Sequence, residues 1–370
     1  MRIHQLFLIL ILGIATSVAQ PPATNAPVRP AQPPAGTEIL PNGKVIFRLR
    51  APKAQEVSVG GQWSTNRAVL NKTTNDIWSV ELDGLKPGIY EYSFYLDGFQ
   101  MIDPANTSIK PMRQPRTSIL HIPGQPPAMQ DFQDVPHGVV RQHSYQSKPL
   151  NRLRELVVYT PPGYDQSRTR FPTVYLQHGN GDNQATWTTH GKAHWILDNL
   201  IARKLAVPMV VVMMDGHAVT PGPNSQQGNT GAFERDLLEK VLPFIEKNYR
   251  VKKGASNRCL VGLSMGGGQS LTIGLNNSDV FSWVGGFSAA VPTNTAISKA
   301  LETPALINKK LKLLWVACGK DDFLLKRNQD FIALLQKSGI HHQWLLTQGD
   351  HSWPVWRTYW TDFAPLLFQK

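Results

Sequence analysis

The chain has 370 residues, long enough for one large domain and a smaller companion. Hydrophobic residues make up 41% and charged residues 17%, a balance that excludes wholesale disorder. The formal charge of +12 comes from scattered Lys and Arg, without a basic run or interleaved aromatics, so it describes a solvated basic surface and argues against a nucleic-acid partner.

In chain order, Arg2 precedes the apolar run Leu6–Ile14, and small residues follow at Ser17 and Ala19. The run is too short to span a bilayer comfortably. This pattern predicts a signal peptide over residues 1–19, cleaved before Gln20, and a secreted or periplasmic protein free of the membrane after cleavage. A retained anchor is the alternative. Residues 20–36 are rich in Pro and Ala and predict an extended spacer. Over 37–123, short runs such as 44–50, 77–82 and 90–96 alternate in polarity. They are punctuated by Asn42-Gly43, Gly60-Gly61, Pro87-Gly88 and Asp97-Gly98 turns, and predict a small β-sandwich. The proline-rich stretch 124–135 is expected to be a linker.

From 136 to 370 the period changes. Apolar strand candidates at 156–159, 173–176, 209–214, 259–262, 283–287, 313–317 and 343–346 alternate with helix-length segments at 194–203, 233–249, 265–275 and 324–337. This order predicts an α/β domain with a mostly parallel sheet covered on both faces. The two cysteines, Cys259 and Cys318, fall on different strands with a third expected between them, too far apart to bridge, so buried free thiols are expected.

Within this domain, Gly262-Leu263-Ser264-Met265-Gly266 joins an apolar strand to a glycine-rich helix start. A G-x-S-x-G turn of this kind exposes a serine on a tight strand-to-helix corner and places it at a helix N-terminus, which favours developing negative charge. A serine hydroxyl needs a base, and the base needs an orienting acid. Gly319-Lys320-Asp321-Asp322 follows one late strand, and Gly349-Asp350-His351 follows the last, giving the order serine, acid, histidine. His351 is the candidate base. Asp322 sits one step deeper in its loop than Asp321; adjacent carboxylates cannot both reach the imidazole, and the unused one is expected to cap the helix near Phe323. Backbone N–H groups of Met265 and of Asn180, in His178-Gly179-Asn180-Gly181, are the candidate oxyanion donors. His178 reads as a residue that holds its loop. Asp215-Gly216-His217 lacks partners at a metal-ligand spacing, and there is no P-loop or dinucleotide fingerprint, so no cofactor is implied. Trp353 and Trp356 either line a substrate cleft or serve as packing, and Trp63 and Trp78 are similarly open between core and ligand platform.

These residues carry a resemblance. The stretches Cys259–Ser270, Lys312–Asp322 and Gly349–Trp356 resemble the esterase D-like family, and more narrowly the feruloyl and acetylxylan esterase modules of carbohydrate esterase family 1. The resemblance implies an α/β-hydrolase fold, with the nucleophile at Ser264, the acid at Asp322 and the base at His351. It further implies hydrolysis of feruloyl or acetyl esters on plant cell-wall xylan through an acyl-enzyme. The N-terminal part is similar to the immunoglobulin-like, glycogen-binding-type domain that precedes such esterases. Asp350 departs from the glycine common before the histidine, and the Asn183-Gln184 region lacks an acid common in relatives. A siderophore esterase of the enterochelin type, or a non-catalytic carbohydrate-binding protein, are the rival readings. The resemblance leaves oligomeric state open.

Overall fold

A computed structural model describes residues 36–220 and 228–369. The expected signal peptide, and all but the last residue of the expected spacer, lie outside the described residues. The N-terminal region builds β1 (Glu38–Ile39), β2 (Val45–Arg50), β3 (Val57–Gly61), β4 (Ala68–Val69), β5 (Asn71–Lys72), β6 (Ile77–Leu82), β7 (Gly88–Leu96), β8 (Phe99–Met101) and β9 (Ser118–Ile122). One sheet has the order β1-β2-β6-β5 and the other β4-β3-β7-β8, with β9 pairing the first half of β7, Gly88–Tyr92. Alternation puts Val45, Phe47 and Leu49 of β2 inward against Val57, Val59, Tyr92 and Phe94 of the facing sheet. Trp78 is buried there and donates its indole N–H to the Ala51 carbonyl, so it is a core residue. Trp63 packs only partly against this core.

The larger domain is a sheet of β10 (Val139–Ser147), β11 (Arg152–Thr160), β12 (Thr173–Gln177), β13 (Val210–Met214), β14 (Arg258–Leu263), β15 (Trp283–Phe287), β16 (Leu313–Gly319) and β17 (Gln343–Thr347). Its order is β10-β11-β13-β12-β14-β15-β16-β17. The pairings from β13 to β17 are parallel, and β10 and β11 are antiparallel. Strands buried on both faces read as unbroken apolar runs, as in Val210–Met214 and Leu313–Cys318. The helices are α1 (Thr186–Thr189), α2 (Ala193–Ala202), α3 (Asn229–Asp236), α4 (Leu242–Asn248), α5 (Ser264–Asn276), α6 (Ser298–Glu302), α7 (Pro304–Lys310), α8 (Leu325–Lys337) and α9 (Trp353–Phe363). A π turn over Leu237–Val241 joins α3 to α4. Two cores result. Tyr175, Leu260, Val284 and Leu314 face α3, α5 and α8 on one side, and Val174, Val261, Phe287 and Trp315 face α2 and α9 on the other. This is the α/β-hydrolase fold preceded by an all-β domain.

The stretch expected to be a linker is docked. Asn199 of α2 donates its amide to the carbonyls of Met129 and Asp131, and the buried Asp131 carboxylate accepts the Gly124 and Ala128 N–H groups. Cys259 and Cys318 sit on β14 and β16, separated by β15, and both are free and buried.

Candidate active site

β14 ends at Leu263 and α5 begins at Ser264, which has a φ of 51°. That left-handed conformation is costly for a residue with a side chain and persists because the surrounding packing leaves no alternative. Gly262 and Gly266 make the corner possible. A Cβ on Gly262 would lie 2.6 Å from the Gly266 backbone, and one on Gly266 would lie 2.4 Å from the His178 carbonyl. Further along α5, a Cβ on Gly268 would fall 2.0 Å from the Ala290 carbonyl. Strand, helix and neighbouring loops therefore approach at backbone contact distance, and Ser264 is pushed outward at the carboxyl edge of the sheet.

Ser264 Oγ donates to His351 Nε2 at 2.9 Å. His351 Nδ1 donates to Asp322, 2.8 Å from Oδ2 and 3.0 Å from Oδ1. The carboxylate thus selects the tautomer that leaves Nε2 free to accept a proton. The Asp322 carboxylate is fully buried, whereas the His351 side chain is 17% exposed. Burial alone would raise the Asp322 pKa, but hydrogen bonds from His351 and the Leu324 N–H outweigh it and hold the carboxyl below its ordinary value. The neighbouring Asp321 is exposed, and it is Asp322 that accepts the Leu324 N–H at 2.8 Å. The expectation that the unused carboxylate caps the following helix is therefore corrected: one buried side chain orients the imidazole and also binds the chain entering α8, and α8 itself has no side-chain cap.

Met265 lies in the first turn of α5, where backbone N–H groups have no intrahelical acceptor. Asn180 lies on the loop after β12 and lines the same cavity as Ser264 and Met265. That loop is organised by two histidines. His178 donates from Nδ1 to the Gly179 carbonyl at 2.7 Å and accepts the Gly216 N–H at Nε2, at 2.8 Å. His217 accepts the Gly181 N–H at 3.2 Å. The Asp215-Gly216-His217 segment, considered above for a metal, is thus committed to holding this loop. Neighbouring backbone comes from the N-terminal domain. The Arg113 N–H donates to the Gly181 carbonyl at 2.9 Å, Met112 forms a β-bridge with Asp182, and Thr186 Oγ1 donates to the Pro111 carbonyl at 2.7 Å. Lys110 Nζ lies 3.0 Å from Glu91 and 3.4 Å from Asp182, all three being largely buried.

The cavity over Ser264 has a volume of about 420 Å³. Trp353 and Trp356 do not line it, which corrects their reading as substrate-binding residues. Trp353 is 3% exposed and packs edge-on against Trp187 at 5.0 Å, and Trp356 is 6% exposed with its ring 4.9 Å from that of His351. Both wedge the first turn of α9 into the core, and Trp356 buttresses the imidazole from behind. Phe323 takes the other side. It is 75% exposed, lines the cavity, and its ring lies 4.4 Å from the His351 ring. No periodicity marks it; the only signal is its position directly after Asp322. Asp350 points to solvent and accepts the Ser352 hydroxyl.

A serine, imidazole and carboxylate aligned at the carboxyl edge of such a sheet define the serine-hydrolase class within the α/β-hydrolase fold. The chain belongs to the esterase family. A family profile described as "Putative esterase" matches residues 147–364. The chain is 30% identical over 346 residues to an endo-1,4-beta-xylanase/feruloyl esterase of Xylanibacter ruminicola, covering 88% of this chain and 45% of that protein. The chain thus spans less than half the length of that relative. Among solved structures, it is similar to a feruloyl esterase of carbohydrate esterase family 1 from Anaeromyces mucronatus, crystallised with ferulic acid. The identity is 25%, 65% of this chain and 94% of that one are covered, and the TM-score is 0.58. The enterobactin esterase of Shigella flexneri shares the fold over 88% of this chain and 93% of its own, at 18% identity and a TM-score of 0.62.

Proposed function

We propose that this protein is a secreted serine esterase that removes feruloyl or acetyl groups from plant cell-wall xylan. The observation that carries the reading is the unbroken relay from Ser264 Oγ through His351 to the buried Asp322. Support for the substrate class comes from the Xylanibacter ruminicola and Anaeromyces mucronatus relatives. Support for export comes from the Arg2, Leu6–Ile14 and Ala19 pattern, and no helix among the described residues is long and apolar enough to cross a membrane.

Ser264 Oγ attacks the ester carbonyl while His351 Nε2 takes its proton, and Asp322 stabilises the imidazolium that results. The N–H groups of Met265 and Asn180 receive the oxyanion. The tetrahedral intermediate collapses by breaking the bond to the sugar oxygen, which leaves with the proton from His351, and the acyl group stays on Ser264. A water molecule gives its proton to His351 and attacks the acyl carbon. Breaking the bond to Oγ returns the proton to Ser264 and releases the acid. Phe323 forms the exposed apolar wall for the acyl group.

The test is hydrolysis of methyl ferulate and acetylated xylan by the wild type and by Ser264→Ala. The expected result is turnover of one or both by the wild type and a loss on the order of 10⁴-fold or more in the variant, with unchanged thermal unfolding. Full activity in Ser264→Ala removes this mechanism. Turnover of a ferric catecholate ester with none of methyl ferulate moves the protein to the siderophore class, and no turnover of any ester leaves a carbohydrate-binding protein.

A further inference from the structure

The turn that leaves β15 touches both the acid and the nucleophile, although neither lies on it. β15 closes at Phe287, paired with Ala317 of β16, and the Ser288 N–H donates to the Ala317 carbonyl at 2.7 Å. Asn328 of α8 donates its amide to the Ala289 carbonyl at 2.9 Å, and the Ala290 N–H donates to the Ser264 carbonyl at 2.9 Å. Residues Ser288–Ala290 thus tie together the strand before the acid loop, the helix after it and the nucleophile corner. Ser288 is fully buried and has a φ of 45°. That left-handed conformation is costly for a serine and free for a glycine, so a serine here implies a use for its side chain. Ser288 Oγ makes no hydrogen bond of ordinary geometry, an uncommon state for a buried hydroxyl. It faces the Asp322 carboxylate and the Cys318 sulfur. Burial works to raise the Asp322 pKa, and the donors that act against it are His351, the Leu324 N–H and the Ser288 hydroxyl.

We propose that Ser288 is a positioning residue of the relay, its hydroxyl donating to the Asp322 carboxylate so that this side chain stays ionised and aimed at His351 Nδ1. The proposal rests on the reading of Ser264 as the nucleophile, and adds a fourth side chain that touches no substrate. The loose geometry of the contact fits the role, because hydrogen bonds around a reacting group are often poorly aligned until substrate tightens them. Two further titratable groups face Asp322, Cys318 on β16 and Tyr359 on α9. Burial pushes both up to about 12, so both stay neutral through the acid range, and proton uptake there belongs to the Asp322–His351 pair. A carboxylate that loses a donor holds a proton more tightly, whether on itself or on the imidazole beside it. Loss of the hydroxyl therefore moves that uptake to higher pH.

The experiment compares Ser288→Gly, which removes the hydroxyl and relieves the backbone, with Ser288→Ala, which removes the hydroxyl and leaves the backbone strained. Values of kcat and KM are measured across pH on methyl ferulate or acetylated xylan, whichever the wild type turns over, together with thermal unfolding. Proton uptake by Asp322 is read without substrate, by carbon NMR of protein labelled at the aspartate carboxyls, with Asp322→Asn to assign the signal. The expected result is a fall of about tenfold in kcat in both variants, with KM little changed. The Asp322 carboxyl midpoint and the acid limb of kcat/KM should both move up by about 0.5–1 pH unit. Thermal unfolding of Ser288→Gly should equal or exceed that of the wild type. An unchanged midpoint or an unchanged kcat in Ser288→Gly overturns the proposal. A loss confined to Ser288→Ala also overturns it, because the backbone rather than the hydroxyl is then what matters. If the wild type hydrolyses no ester, the esterase reading fails and the carboxyl midpoint alone decides: an upward move in both variants supports the contact, and no move overturns it.

Discussion

The two sides of Ser264 are held in different ways. On the base side, everything that positions His351 comes from the esterase domain. Asp322 fixes Nδ1, Trp356 and Phe323 flank the ring, and the Asp321 N–H ties the acid loop to the Gly349 carbonyl at 3.0 Å. On the oxyanion side, the loop carrying Asn180 leans on the N-terminal domain through Arg113, Met112, Pro111 and Lys110. In the proposed mechanism proton transfer draws on the esterase domain alone, whereas the placement of the proposed oxyanion donor depends on a second domain. The sandwich is thus a buttress of the reaction centre as well as a neighbour.

The comparison breaks most sharply on the base side. Asp322→Asn keeps the shape but loses the charge that selects the tautomer, and kcat is expected to fall about 10⁴-fold. Steady-state kinetics on methyl ferulate check this, with thermal unfolding as the control for the lost Leu324 contact.

On the oxyanion side the effect is expected to be smaller. Lys110→Met removes the cation between Glu91 and Asp182, and kcat should fall about 10- to 100-fold with little change in KM, as expected for a displaced rather than a deleted group. Lys110→Arg should recover most of the loss. A fall in stability with unchanged kcat would show that the buttress serves the fold alone.

The smallest expected effect is on pH dependence. Burial works to raise the Glu91 pKa, but His190 and Lys110 outweigh it and hold the carboxyl at about 2, against an ordinary value of 4.5. A depressed carboxylate contributes stability that is fully present above about pH 4.5 and is lost as the pH falls towards 2. Glu91→Gln should flatten unfolding free energy across that window by about 1–3 kcal/mol, read from urea melts at stepped pH. An unaltered acid slope would place the acid sensitivity elsewhere.

Legibility in the sequence followed the same division. The relay was visible because each member follows an apolar strand: Ser264 after Cys259–Gly262, Asp322 after Leu313–Cys318, and His351 after Gln343–Thr347. β14 and β16, buried on both faces, announce themselves as apolar runs, and the partly exposed edge strand β17 does so through Trp344, Leu345 and Leu346; their chain order then sets which loops meet. The edge strand β10 went unread because Val139–Ser147 is exposed at alternate positions and carries Arg141, His143 and Gln146, which blur its apolar signal. The helix α9 went unread because it begins two residues after the histidine, with five aromatics in its eleven residues and no side-chain cap bond from Ser352. The sequence left the side faced by Trp353 and Trp356 open for a related reason: an aromatic beside a candidate catalytic residue looks the same whether it faces the cleft or the core. The support of the loop carrying Asn180 by Met112 and Arg113 had no signal, because backbone contact between domains leaves no side-chain pattern, and the Lys110–Asp182 ion pair joins residues far apart in the chain.

The sulfur atoms of Cys259 and Cys318 have a consequence outside catalysis. Both thiols lie in the sheet interior, where burial raises the pKa of Cys318 to about 12 and that of Cys259 well above its ordinary value. Neither forms appreciable thiolate at neutral pH, so neither exchanges readily with an external oxidant or reductant. The fold therefore has no covalent cross-link to lose and none to mispair. Reducing and oxidising surroundings should leave its unfolding midpoint the same, and production in a reducing host compartment requires no disulfide chemistry.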